Sequence, residues 1–130
     1  MKIRMEVSGS SYVDWDEGFK RTTEVWIYLH PKDEEAKEFL RKNATQYRIT
    51  ETLKEVVEAQ GGRHEWWDYL YSEDPRLELF VTWEDDIEGY TKELFNDDIK
   101  QVVEAIRKAV IEARKKELDY RIESVEELEL

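Results

Sequence analysis

The feature that most constrains this chain is a two-sided alternation at residues 24–30, Glu-Val-Trp-Ile-Tyr-Leu-His, which recurs at 77–83 as Leu-Glu-Leu-Phe-Val-Thr-Trp. Successive side chains of a strand point to opposite faces of a sheet. Val25, Ile27 and Leu29 therefore share one side, and Glu24, Trp26, Tyr28 and His30 the other. In the second segment Leu77, Leu79, Val81 and Trp83 oppose Glu78, Phe80 and Thr82. The aliphatic parity is the expected core face. The opposite parity sets Trp26, Tyr28 and Phe80 among charges, an aromatic platform on a wet face.

The remaining elements follow from period and punctuation. Residues 2–7 alternate with Ile3, Met5 and Val7 inward, which predicts a first strand, followed by a polar loop over 8–18. The second strand covers 22–30, since Pro31 biases the residue before it toward extended backbone. Acidic residues after Lys32, then Ala36, Phe39 and Leu40, predict a helix to about Asn43. Asn43 or Thr45 is the expected cap of a second helix carrying Ile49, Leu53, Val56, Val57 and Gln60, ended by Gly61-Gly62. Segments 63–71 and 76–83, separated by Ser72-Glu73-Asp74-Pro75, read as a hairpin. A last helix, capped by Asn96 or Asp97, shows the stripe Ile99, Val103, Ile106, Val110 and Ala113, and Tyr120, Ile122 and Val125 suggest a final strand.

With no repeat or linker, the 130 residues are expected to form one domain, 1–130. The predicted class is α+β, an antiparallel sheet with helices on one face. From residue 22 onward the order strand, helices, strand, strand, helix, strand corresponds to a ferredoxin-like βαββαβ core, with an extra N-terminal strand. Its open sheet face is where binding is expected. Trp26, Tyr28 and Phe80 are the candidate binding residues. The third strand adds either Trp66, with His64 and Leu70, or Trp67, with Tyr69 and Tyr71, because one residue of register decides between them.

Charge and composition narrow the partners. Thirty-two acidic residues against 20 basic give −12, a field that repels phosphate backbones, so nucleic acid is not an expected ligand. Nucleic-acid platforms of this topology surround their aromatics with Lys and Arg, whereas Glu24 and Glu78 flank these. No apolar run approaches the 18 or so residues that span a bilayer, and the charges alternating through residues 2–6 exclude a signal sequence there. No membrane contact and a cytoplasmic location are expected. The absence of Cys removes disulfides and thiolate chemistry and fits a reducing compartment. Scarce Asn, Gln and Met with abundant Glu and Lys match both thermophile proteins and computationally designed, de novo ones.

Catalytic and metal signatures are weak. His30 and His64, the two histidines, could meet Glu24, Glu65 or Asp68 on adjacent strands as a general-base pair or metal site, which keeps a small enzyme as an alternative. The run Glu84-Asp85-Asp86-Ile87-Glu88-Gly89 resembles a calcium loop until its twelfth position, which is Phe95 and not a bidentate Glu, so a solvated acidic turn is expected. Asp14, Asp16 and Glu17 also suit turn chemistry. No cofactor, catalytic residue or metal ligand is assigned. The leading expectation is a non-enzymatic acidic domain of structural or binding role. Its partner is itself, as a homodimer, or a protein or small apolar ligand on the aromatic face. A second alternative is an acidic inhibitor from a mobile element that imitates nucleic acid.

Overall fold

The structure, a computed structural model, describes residues 1–15, 18, 20–59, 61–119 and 124–130. Seven elements follow in order: β1 (Ile3–Asp14), β2 (Lys20–Pro31), α1 (Glu34–Thr45), α2 (Thr50–Glu58), β3 (Arg63–Tyr69), β4 (Arg76–Asp86) and α3 (Lys92–Leu118). The four strands form one antiparallel sheet in the order β1-β2-β4-β3. The class is α+β, as expected.

The described sheet has four strands and not the five that the expected ferredoxin-like core with an extra strand requires; β4 lies between β2 and β3, and β1 holds the outer edge of β2. Twelve residue pairs join β1 to β2, from Ile3 opposite Pro31 to Asp14 opposite Lys20. Residues 8–14, expected as loop, are therefore strand. A polar sequence with Ser8, Gly9, Ser10 and Ser11 carries no strong strand propensity, and the ladder to the β-branched, aromatic β2 imposes the conformation. The expected final strand over 120–125 falls mostly outside the described residues, and Val125 is fully exposed.

All three helices cover the aliphatic face. α1 rests on β2, α2 on β3 and β4, and α3 runs over β1 and against α2. Val25, Ile27, Leu29, Leu77, Leu79 and Val81 are buried beneath Phe39, Leu40, Ile49, Leu53, Val57, Val102 and Ile106. Pairing of Val25 with Val81 and Ile27 with Leu79 aligns the two aliphatic rows, so a single layer of helices buries both.

Helix ends depart from the expected caps. Asp33 caps α1, accepting from the Ala36 N–H at 2.7 Å. Asn43 and Thr45 lie inside that helix, and the chain turns at Tyr47, a non-glycine residue with φ of 58°. The Arg48 and Tyr47 N–H groups close the helix on the Asn43 and Ala44 carbonyls, each at 3.0 Å. Asn43 is buried and bridges elements instead of capping one, donating to Phe39 O at 2.8 Å and to Glu117 Oε1 of α3 at 2.9 Å. Thr91, not Asn96 or Asp97, caps α3 through the Leu94 N–H, so this helix begins one turn earlier than its apolar stripe suggests. Its buried line is Val102, Ile106, Ala109 and Ala113, rotated slightly from the expected stripe, with Ile99 and Val110 at its margin.

Gly61 takes φ of 68° and, as expected, Gly61-Gly62 ends α2, with the Gly62 N–H bonded to Val57 O at 3.0 Å. Gly62 has a second role: a Cβ there would lie 2.2 Å from Thr82 O, so β3 can enter the sheet beside β4 only without a side chain at this position.

Three substitutions test this packing by urea denaturation. Ile106→Ala is expected to cost about 2–5 kcal/mol, while Lys108→Ala, on the solvent side of α3, changes stability by less than about 0.5. Equal effects would mean that α3 presents another face to the sheet. Gly62→Ala is expected to destabilise by about 1–3 kcal/mol, because the rigid Thr82 carbonyl cannot yield to the added methyl.

Candidate binding face and a polar pole

The register of β3 resolves the two-way choice on the aromatic face. Trp66 pairs with Leu79 and so shares the helix side, where it packs on the core with Tyr47 edge-on at 6.4 Å. Trp67 pairs with Glu78 and joins Trp26, Tyr28 and Phe80 on the open side. Trp66 is therefore a half-buried residue packed against the core and not part of the platform. The physical reason is strand parity: pairing with β4 turns Trp66 toward the helices and its neighbour Trp67 away from them.

Trp26 is the hub of the platform. Its ring lies 4.5 Å from Phe80, 5.6 Å from Trp67 and 6.3 Å from Tyr28, stacked within 7° of the last. β2 and β3 are separated by β4, about 10 Å in all, so the two indoles lean toward each other over the central strand. Each of the four rings is half-buried although no helix covers this side, because each screens its neighbour. Offset stacking of this kind adds about 0.5–1.5 kcal/mol per pair beyond burial.

The rim is polar and of both signs. Arg76 bonds Glu78 at 2.8 Å and lies 4.8 Å over the Tyr69 ring; Arg4 pairs with Glu6; the Tyr12 hydroxyl donates to Glu24 at 2.9 Å. Among described side chains the face holds four cations, Arg4, Lys20, Arg63 and Arg76, against six anions, Glu6, Glu24, Glu65, Glu78, Glu84 and Asp86. That leaves −2 here against −12 for the whole chain, so most of the excess charge lies elsewhere.

The histidines do not converge. His30 sits on the open side, buried, with Nε2 at 3.4 Å from Glu6 and its ring beside Tyr28, whereas His64 pairs with Val81 on the helix side. Since the sheet separates them, neither shares a carboxylate with the other. Among the described residues no cluster of three potential metal ligands occurs, and no helix is long and apolar enough to cross a membrane. Asp16 and Glu17 lie outside the described residues.

The acidic run 84–86 is not uniformly solvated. Glu84 and Asp86 project to the open face, while Asp85 pairs with Arg21 in the ladder and turns to the helix side. There it faces the indole of Trp83, beside which the Tyr90 hydroxyl donates to Asp98 at 2.7 Å. Burial, then the charge of Asp98, pushes the Asp85 carboxyl above the usual carboxylate range; the Trp83 N–H faces it and offsets part of this without reaching hydrogen-bond geometry. Burial and the bond to Asp98 push Tyr90 up to about 12. Only the parity of Asp85 hinted at this pole in the sequence, and the strand had to extend beyond Trp83 for that parity to apply.

A raised carboxyl pKa favours the protonated form in the fold, so this contribution to stability is present below the unfolded value of 3.8 and is lost as pH rises through the folded one. Asp85→Asn is therefore expected to raise the thermal midpoint at pH 7 and to leave it unchanged near pH 3. A midpoint that falls at pH 7 would show that the ionised carboxylate is a favourable partner of Arg21.

The chain matches no protein-family profile, no curated protein and no solved structure.

Proposed function

We propose that this protein is a non-enzymatic binding module whose open sheet face packs on a flat protein surface, a second copy of the chain being the occupant. The observation that carries the reading is the cluster of Trp26, Tyr28, Trp67 and Phe80 at the centre of an otherwise uncovered sheet. Aromatic centres ringed by paired polar groups, with Arg at the margin, are the anatomy of protein interfaces. Four strands about 4.8 Å apart, with β1 and β2 of 12 residues, β4 of 11 and β3 of seven, present about 670 Å², not far from the 800 Å² or so per partner of a standard interface.

Charge favours a copy of the same chain. A net of −12 repels a second molecule approaching from most directions, but this face is near balance and carries both signs, so two copies related by a two-fold axis can set arginines of one against glutamates of the other. A DNA or RNA strand would meet Glu24, Glu65 and Glu78 beside the rings.

Light scattering on the eluted protein tests this. The wild-type chain is expected at twice the monomer mass at about 0.15 M salt and to dissociate as salt is lowered, because screening over about 8 Å then fails. Trp26→Glu is expected to halve the mass while the circular dichroism of the fold is kept. A monomeric wild type across this salt range, or an undiminished mass in Trp26→Glu, would overturn the assignment of this face.

A further inference from the structure

On the helix side the sheet is aliphatic only as far as the row Val25–Val81. The next row outward is Ser11, Thr23 and Trp83, and the one after it Val13, Arg21 and Asp85. Over these rows lie Tyr90, Thr91 and the first turns of α3, and between the two layers is a cavity of about 460 Å³ lined by Gly9, Ser10, Ser11, Arg21, Tyr90, Thr91, Lys92 and Phe95. Its size falls within the range of small-molecule sites.

Three features of that lining point the same way. It carries two cations and no carboxylate, in a chain with 12 more acidic than basic residues. Arg21 is under-used: among the described residues it makes one long hydrogen bond, Nη1 to Ser11 O at 3.4 Å, it comes within 4.0 Å of no carboxylate, and its Nε is buried without a partner. Its ladder neighbour Asp85 does not reach it, and burial pushes that carboxyl toward its neutral form. Lys92 enters no ion pair among the described residues either. The polar wall is supplied by Ser11, Tyr90 and Thr91, and the apolar wall by Phe95, whose ring reaches the backbone of Gly9 because nothing stands on that residue: a Cβ there would lie 3.5 Å from Phe95 Cζ and 2.7 Å from Ile99 Cδ1. Thr91 already caps α3, so the helix end is not what recommends the site.

We propose that this cavity binds a small organic anion, a carboxylate with an apolar body, its charge met by Arg21 and Lys92 and its body lying on Phe95. A half-buried guanidinium with unspent donors is well suited to a carboxylate, which it can hold through two parallel N–H···O bonds. The site lies on the side of the sheet away from the aromatic platform, so it stands or falls independently of the binding reading above.

Phenylacetate is a suitable probe, with phenylacetamide as its uncharged counterpart, titrated into the isotope-labelled full chain and followed by amide chemical shifts. Saturable shifts centred on residues 9–11 and 90–95, about tenfold weaker binding of phenylacetamide, and a similar loss in Arg21→Gln are the expected results. Absence of saturable shifts at these amides, equal binding of the amide, or undiminished affinity in a folded Arg21→Gln would overturn the proposal. If Arg21→Gln loses the native spectrum, Lys92→Gln decides: its side chain is exposed, so the fold is kept, and a several-fold loss supports the site while an unchanged affinity overturns it.

Discussion

The pairing of β2 with β4 is the interaction on which the rest of the molecule depends. Val25, Ile27 and Leu29 align with Val81, Leu79 and Leu77, and this one alignment builds the core floor on one side while it brings Trp26 onto Phe80 on the other. Slipping it by a single residue would put the aliphatic row in water and the aromatic row under the helices. β1 and β3 then add to outer edges that β2 and β4 have already oriented. Because β1 and β2 are joined by a short connection, their ladder forms at small loop-closure cost, which is a physical reason for an N-terminal strand to hold the slot beside β2.

The sheet separates two kinds of surface chemistry. The open face is covered by its own side chains: aromatic rings lie flat on one another and paired charges surround them, so it is stable uncovered yet retains apolar area to bury. The helix side is a close-packed interior over most of its length and becomes polar only at the pole where β1, β2 and β4 outrun α2. At that pole hydroxyls, a guanidinium, a carboxyl and a phenol replace aliphatic side chains, and the start of α3 closes over them. Buried polar groups without partners are costly, and Arg21 Nε, Trp83 Nε1 and Asp85 Oδ2 are gathered there, so the pole is where the fold has most to gain from a bound group.

α3 ties the layers together. Its 27 residues reach about 40 Å, from Gly9, where the absence of a side chain admits Ile99 and Phe95, to α1, where Arg114 pairs with Glu35 at 2.7 Å and Glu117 receives the buried amide of Asn43. The glycine at one end and the asparagine at the other are thus packing residues. Each has a type that, in isolation, suggests a loop or a cap.

Local pattern by itself determined much of this protein. Period-two alternation specified both central strands and which of their side chains share a face, Gly61-Gly62 ended α2, and the apolar period of α3 named two of its four buried residues, Ile106 and Ala113. These are properties of neighbours along the chain, and hydrophobic period reports them directly. Tertiary structure alone decided the rest. Residues 8–14 have no strong conformational preference and became strand because β2 offered a ladder; Trp66 and Trp67 are chemically alike, and only pairing with β4 could choose the one that joins the platform. The polar pole needed Arg21, Tyr90 and Phe95, distant in sequence and unremarkable singly, to be brought around one cavity. Such long-range juxtapositions leave no periodic trace, because the energy that selects them comes from packing between elements and not from the preferences of any one segment.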